Sequence, residues 1–305
     1  MAFVSDADNL VLPDTDNGLY YDIFVHDLQT GTTRVSDGLA GIQGNGDSYS
    51  PSISADGRYV AFESFANNLV AGDGNLTADV FVHDRQTKDT TRVSLHTDGT
   101  EGNLESNSPS ISGDGRYVAF VSDATNLVAG DTNGLFDIFV HDRDADGNGT
   151  YDEPGPVGVS TVRVSVTSGG VEVDDPSYSP SISADGRYVA FESISPDLVA
   201  GDSNGKGDIF VHDRQTGATT RVSKDSAGVE GNENSNNPSM SGDGRSVAFE
   251  SAASNLVAGD MPLPIGFIDI FVHELQAAAG QGGGGESSSG GGGCFISTAA
   301  DRFGW

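Results

Sequence analysis

The 305-residue chain is poor in basic residues: 15 Lys plus Arg residues stand against 45 Asp plus Glu residues, so the formal net charge is −30. A surface of this sign repels nucleic-acid phosphates and anionic lipid headgroups, so nucleic acid is excluded as an expected partner. Cysteine is also scarce. Because Cys294 is the only one, an internal disulfide framework is excluded.

Long apolar runs are missing as well. No stretch reaches the roughly 18 consecutive apolar residues that a membrane-spanning helix needs, so the sequence predicts no transmembrane segment. The chain also opens without the basic and apolar regions of a secretory signal peptide.

The sequence is instead rich in glycine and in repeats. Residues 50–64 read Ser-Pro-Ser-Ile-Ser-Ala-Asp-Gly-Arg-Tyr-Val-Ala-Phe-Glu-Ser, and similar segments occupy 108–122, 179–193 and, more loosely, 237–251. Each unit contains four short β-prone runs, and the Asp-Gly pair between the first two is typical of a tight hairpin. Because no helical periodicity appears, these units predict an all-β fold: a β-propeller of about five four-stranded blades.

Both ends of the repeat region are incomplete, since the first unit lacks its first strand and the last unit lacks its fourth. Met1 falls where a repeat would place Val, which favours an internal start; alternatively, strands from the two ends complete a ring. A Gly-rich tail, expected to be disordered, follows the repeats. The predicted divisions are a propeller over 1–276 (units at approximately 1–36, 50–94, 108–165, 179–223 and 237–276), a linker over 277–293 and a C-terminal segment over 294–305.

The pattern Ser-x-Ser-x-Asp-Gly-Arg-x-Val-Ala-Phe, followed by Asp-Ile-Phe-Val-His-Asp, resembles the TolB-like, WD-related propeller repeats of bacterial periplasmic and extracellular proteins. The tail resembles the CFI-box segment of bacterial exported proteins, because a Gly-rich spacer precedes Cys-Phe-Ile-Ser-Thr-Ala-Ala at 294–300. The first resemblance implies an extracytoplasmic location. The second implies attachment to the cell surface and makes Cys294 the expected site of modification, with a free thiol in a disordered tail as the alternative.

A 13-residue insertion in the third unit has the spacing of a calcium loop. Alternating carboxylates around a Gly turn let a short loop surround Ca²⁺ with hard oxygen ligands. A second alignment of the calcium-loop pattern with the same segment uses Asp152 but lacks a closing carboxylate. The alternative to a metal site is an acidic turn that is exposed to solvent. The predicted ligands, at loop positions 1, 3, 5, 7, 9 and 12, are Asp142, Asp144, Asp146, Asn148, Thr150 and Glu153.

Weaker versions of an oxygen-ligand set recur between the second and third strands of the units. The same Asp-x-Asn-Gly pattern also forms a good turn, so both interpretations stay open. Five histidines at one repeat position are expected to pack between blades, and two series of arginines are expected to pair with Asp. The weaker sets are Asp73, Asn75 and Asp79; Asp131, Asn133 and Asp137; and Asp202, Asn204 and Asp208.

The catalytic motifs are weak. Residues 201–205 match Gly-x-Ser-x-Gly, but a nucleophile elbow needs a strand–turn–helix context, whereas this segment precedes a strand. Near-identical blades favour a non-enzymatic module that binds a protein or glycan partner or acts as a scaffold. The resemblance to TolB-like repeats implies that this module acts outside the cytoplasm, and the acidic insertion is expected to be a calcium-stabilised loop. The alternatives are a glycan-active propeller enzyme and the propeller portion of a peptidase.

Overall fold

The computed structural model describes residues 1–13, 15, 18–38, 41–153, 157–260 and 268–275. In that part of the chain there are 18 β-strands and no α-helix. The strands form five antiparallel sheets, in which strands adjacent in the chain are adjacent in space. The predicted linker 277–293, the segment 294–305 and Cys294 lie outside the described residues.

We call the sheets blades 1 to 5 in chain order. Blade 1 and blade 5 have three strands each, and the others have four. Blade 1 contains β1 (Ala2–Ser5), β2 (Asp22–Asp27) and β3 (Gly31–Arg34); blade 2 contains β4 (Ser48–Ile53), β5 (Tyr59–Ser64), β6 (Asp79–Asp84) and β7 (Thr90–Arg92). Blade 3 contains β8 (Ser106–Ile111), β9 (Tyr117–Ser122), β10 (Asp137–Asp142) and β11 (Ser160–Arg163). Blade 4 contains β12 (Ser177–Ile182), β13 (Tyr188–Ser193), β14 (Asp208–Asp213) and β15 (Ala218–Arg221); blade 5 contains β16 (Ser235–Met240), β17 (Ser246–Ser251) and β18 (Asp269–Glu274).

These sheets confirm the predicted all-β fold of five blades, with three strands in blades 1 and 5 among the described residues. No helix in the described residues is long and apolar enough to cross a membrane.

The repeated Ser-x-Asp-Gly-Arg segment forms the hairpin between the first two strands of a blade. In blade 2, Asp56 Oδ1 accepts the Ser54 hydroxyl proton at 2.7 Å and the Arg58 amide proton at 2.9 Å. Gly57 has φ +73°, a left-handed conformation that glycine adopts without steric cost. A short side-chain network and one glycine thus determine where each hairpin turns.

Successive blades lie side by side through their first strands. Ser52 Oγ on β4 accepts the amide proton of Ile111 on β8 at 3.1 Å, and the equivalent serine–amide bonds join blades 3 and 4, and 4 and 5. The hairpin turns are joined as well, since the Ala55 amide donates to the Gly113 carbonyl at 2.9 Å. The first strands therefore share one side of the stack, as innermost strands of propeller blades do.

The apolar core lies between blades. One cluster combines Val80 and Val82 of blade 2 with Val118 and Phe120 of blade 3, all 1 % exposed or less. Equivalent clusters join blades 1 and 2, 3 and 4, and 4 and 5. Because a single sheet cannot bury its own faces, each blade depends on its neighbours for its core.

Tyrosine and glycine form a close contact at each of three blade boundaries. Gly115, in the hairpin of blade 3, lies against the ring of Tyr59 in blade 2, and a Cβ at Gly115 would be only 2.2 Å from Tyr59 Cδ2. The guanidinium of Arg143 lies over the same ring, 4.8 Å from its centroid. The equivalent pairs are Gly186 with Tyr117 and Gly244 with Tyr188.

Gly115→Ala is expected to destabilise the protein more than Gly130→Ala. Both glycines have φ near +80°, which costs an alanine about 1–2 kcal/mol, but Gly130 has no atom within 4 Å of its added Cβ. At Gly115 the methyl group also overlaps Tyr59, so the free energy of unfolding should fall by about 1–3 kcal/mol more. Urea titration of the two variants measures this difference, and equal losses would contradict the proposed contact.

Candidate functional site

The acidic insertion joins β10 to β11 in blade 3. Its first predicted ligand, Asp142, forms a two-point ion pair with Arg116, with Nε–Oδ1 at 2.7 Å and Nη2–Oδ2 at 2.9 Å. The same pair holds the equivalent strand ends in blades 2 and 4, where Arg58 binds Asp84 and Arg187 binds Asp213. The Asp142 carboxylate thus has a two-point structural partner, and Arg116 Nη1 also lies 4.0 Å from Oδ2 of Asp144, the second predicted ligand.

Three of the remaining predicted ligands meet at the tip of the loop. Asn148 Nδ2 donates to Asp146 Oδ2 at 2.9 Å and to Glu153 Oε2 at 2.5 Å. Asn148 Oδ1 accepts the amide proton of Thr150 at 2.7 Å. Asp144 is 5 % exposed and accepts the Gly149 amide proton at 3.2 Å. The Asn148 amide nitrogen therefore bridges the Asp146 and Glu153 carboxylates as a hydrogen-bond donor, while Asn148 Oδ1 faces the Thr150 amide.

Asp152, from the second alignment, has a different role. Its Oδ1 accepts from Arg143 Nε at 2.9 Å, and its Oδ2 accepts the hydroxyl proton of Thr91 in blade 2 at 2.9 Å. The Tyr151 ring lies 5.5 Å from that of Tyr59, centroid to centroid. The insertion consequently packs back onto blade 2, a contact that its spacing alone did not indicate.

The weaker predicted sets lie in buried carboxylate clusters, each with an arginine among the acids. In blade 3, Arg163 Nη1 is 3.6 Å from Asp131 Oδ2, 3.0 Å from Asp137 Oδ2 and 2.5 Å from Glu172 Oε1. One oxygen from each of these acids lies within 4.8 Å of the others. Matching clusters are Asp73, Asp79, Glu101 and Arg92 in blade 2, and Asp202, Asp208, Glu230 and Arg221 in blade 4.

The asparagines of these sets turn their amide nitrogens toward the acids. Asn133 Nδ2 donates to Asp137 Oδ2 at 3.3 Å and to the Val173 carbonyl at 2.9 Å, while its Oδ1 accepts the Leu135 amide proton. Asn75 and Asn204 repeat this arrangement. The Oδ1 contact of Asn133 is that of a local turn, whereas its Nδ2 contacts tie the turn to the cluster aspartate and to a carbonyl 40 residues further along the chain. Cation binding by these sets stays a prediction.

Burial in these clusters raises the pKa of Asp73 and of Asp131 to about 6, because the carboxylate charge is poorly solvated there. The glutamates of these clusters were not among the residues predicted from the sequence. Their signal was available, since Glu101, Glu172 and Glu230 each follow the cluster arginine by nine positions.

The buried histidines join neighbouring blades. His141 Nδ1 on β10 lies 2.9 Å from Thr161 Oγ1 on β11, and this hydroxyl donates to the Leu95 carbonyl of blade 2. Because the hydroxyl proton is used there, the imidazole donates from Nδ1. Burial lowers the pKa of His83 and His141 to about 4. The equivalent chains are His83, Thr90 and Asp37, and His212, Thr219 and Val166.

The rejected nucleophile motif is also structural. Ser203 Oγ donates to Glu230 Oε1 at 2.7 Å, and the segment is a turn that leads into β14. The expected pairing of arginines with aspartates is confirmed in both series, at Arg58, Arg116 and Arg187 and at Arg34, Arg92, Arg163 and Arg221.

Stacked blades, repeated hairpin turns and polar chains between blades define the class as a β-propeller-type repeat protein. No protein-family profile and no curated protein sequence matches the chain significantly. The chain is similar in fold to TolB from Acinetobacter baumannii, with a TM-score of 0.46 and 16 % identity over 83 % of this chain and 46 % of that one.

Two further solved structures show comparable likeness. A protein assigned as TolB from Agrobacterium tumefaciens has a TM-score of 0.46 and 18 % identity over 83 % of this chain and 65 % of its own. The tricorn protease has a TM-score of 0.45 and 15 % identity over 83 % and 23 %. This chain spans less than two thirds of the length of each of these proteins, and the likeness concerns the fold.

The double variant His83→Gln, His141→Gln is expected to lose less stability than the unmodified chain as the pH falls from 6.5 toward 4. The folded-state pKa of about 4 lies below the usual 6.5, so the stability contributed is complete above pH 6.5 and is lost as the pH falls toward 4. Each histidine adds a slope of up to about 1.4 kcal/mol per pH unit.

Urea unfolding at pH 7, 5.5 and 4.5 measures this slope. His26→Gln is the matched control, because His26 holds the same repeat position in blade 1 and is exposed. If the double variant and the control have the same slope as the unmodified chain, the buried histidines are not its source.

Proposed function

We propose that this protein is a non-enzymatic binding or scaffold module that acts outside the cytoplasm. The observation that carries the proposal is that its titratable side chains recur from blade to blade and serve the blades themselves: His141 and its equivalents link neighbours, and Arg163 and its equivalents hold buried acids. An enzyme site needs unlike groups that converge on one substrate position. Repetition instead leaves similar edges and turns, which suits recognition of another macromolecule.

An extracytoplasmic location is part of the same proposal. It is supported by the strongly acidic composition and by the resemblance of the repeats to those of periplasmic and extracellular bacterial proteins. Attachment through the tail at Cys294 is proposed on the CFI-box resemblance alone.

The binding function is tested by immobilising the full chain and capturing partners from an extracytoplasmic fraction of bacteria, with an unrelated protein of equal net charge as control. We expect a partner that binds reversibly when repurified and that the control does not retain. In parallel, the chain is assayed against peptide and glycan substrates. Turnover of either substrate class without a retained partner would overturn the proposal in favour of an enzyme.

We further propose that the insertion of blade 3 binds Ca²⁺. The residues that would hold it are Asp144, Asp146, Asn148 and Glu153. Two observations support this set. Asp146 and Glu153 both accept hydrogen bonds from the Asn148 side-chain amide, and the loop turns at Gly147 and Gly149, with φ of +69° and +85°. Thr150 is exposed beside them, and Asp142 would have to be shared with Arg116. Calcium would supply positive charge that ties the loop together.

Calcium is therefore expected to raise the thermal stability of the chain, by about 2.7 kcal/mol at a free concentration 100 times the Kd. Asp146→Asn combined with Glu153→Gln should abolish this rise, because two charged ligands become neutral. Asp174→Asn, which alters an exposed carboxylate of the same blade outside the loop, should keep it. Thermal unfolding with CaCl₂ or EDTA measures the effect. A wild-type chain that is unaffected by both would contradict the calcium site.

A further inference from the structure

The outer edge of blade 5 is unpaired in the part of the chain that the structure describes. β18 pairs only with β17 there, whereas the third strand of each complete blade also pairs with a fourth strand. The sequence contains four copies of the fourth-strand motif, Thr-Arg-Val-Ser or Val-Arg-Val-Ser, and the last copy ends at Ser223. A polar strand edge left without a partner is a template for another strand.

The complete blade 4 shows what a fourth strand does at this edge. Thr219 Oγ1 lies 2.9 Å from His212 Nδ1 and donates a hydrogen bond to the Val166 carbonyl of the preceding blade at 2.5 Å. Arg221 Nη1 lies 3.1 Å from Asp202 Oδ1 and 3.4 Å from Asp208 Oδ2.

The next two residues of that strand complete the contact. Val222 is 1 % exposed in the core between blades 4 and 5, and Ser223 Oγ donates to Asp208 Oδ1 at 2.5 Å. Blades 2 and 3 repeat these contacts with their own threonine, arginine, valine and serine. The fourth strand thus makes its side-chain contacts through a threonine, an arginine, a valine and a serine in a fixed order.

Blade 5 retains residues at the positions that contact the fourth strand in blade 4. His273 and Asp269 on β18 correspond to His212 and Asp208, and Asp260 corresponds to Asp202. Lys224 occupies the position of Val166, whose carbonyl accepts the threonine proton in blade 4.

His273 and Lys224 line an open space beside β18. A cavity of about 520 Å³ lies between the end of β18, at His273, Glu274 and Leu275, and the outer part of blade 4 from Ala218 to Gly228. Asp269 is only partly buried, whereas Asp208 is fully buried beneath its fourth strand. Among the described residues, the place that a fourth strand fills in blade 4 is therefore unfilled in blade 5.

We propose that this edge of blade 5 binds an extended peptide segment of a partner protein with the side-chain order Thr-x-Arg-aliphatic-Ser, which adds to β18 as an antiparallel fourth strand. The peptide threonine lies opposite His273, and its arginine lies opposite Phe271 and reaches Asp269, by the register of β14 with β15. Main-chain hydrogen bonds supply affinity, and these side chains supply specificity. The inference rests on the proposed binding function and names its surface.

Charge complementarity supports this occupant. Asp269 on β18 is partly exposed and holds the position whose aspartate binds an arginine in blades 1 to 4, and the strong negative charge of the whole chain attracts a basic peptide. The four internal copies of the contact show that an arginine is the residue that such acids accept.

The test uses the full 305-residue chain and a fluorescently labelled peptide that copies residues 217–224 of blade 4. Fluorescence anisotropy is expected to show saturable binding, and replacing the peptide arginine by glutamate should weaken it at least 10-fold. His273→Ala and Asp269→Asn in the protein should each weaken binding as well. His26→Ala is the matched control, because blade 1 has its own outer strand, β3, beside His26, and binding should be unchanged.

Hydrogen exchange of the β18 amides provides a second measurement that does not depend on the variants. The peptide is expected to slow exchange on β18 and to leave β2 unchanged. Absence of saturable binding, or equal binding of the arginine and glutamate peptides, overturns the proposal. Slow β18 exchange without peptide also overturns it, since the edge would then be covered by the chain itself or by a second copy. Partner capture by the immobilised chain is independent of this peptide, so a failure here is distinguishable from failure of the binding function.

Discussion

The contact between neighbouring blades is the constraint on which the rest of the structure depends. Each blade has two faces to bury and no second layer of its own, so its apolar side chains are covered only when the next blade packs against it. Val118 and Phe120, for example, are fully buried because blade 2 lies against them. Stability, placement of the polar chains and the shape of the two end blades all follow from this dependence.

Buried polar groups make the contact specific. An apolar interface alone would tolerate a shifted blade, but the chain from His141 through Thr161 to the Leu95 carbonyl is satisfied in one register only. The acidic clusters act within a blade instead, where Arg163 is held by three carboxylates from separate parts of blade 3. Many aspartates of this chain therefore have structural partners inside the blades.

The strands and their hairpins could be predicted because their signals are local. An Asp-Gly turn between β-prone runs, as at Asp56 and Gly57, requires only neighbouring residues to form. The cluster glutamates could not be found by the same reasoning. Glu172 reaches Arg163 only because the chain returns past the fourth strand, a path that depends on tertiary structure.

For this protein, the amino-acid sequence by itself determined the number of repeats, the strand composition of each blade and the residue types at each repeated position, because these depend on patterns within about 58 residues of chain. Only the tertiary structure decided which of the many carboxylates already have partners. It binds Asp142 to Arg116 and Asp152 to Arg143, and it brings Asp146 and Glu153 together. The physical reason is that an ion pair depends on the distance between two side chains in space, and carboxylates of one acidic loop, such as Asp142 and Asp152, reach different arginines only in the folded loop.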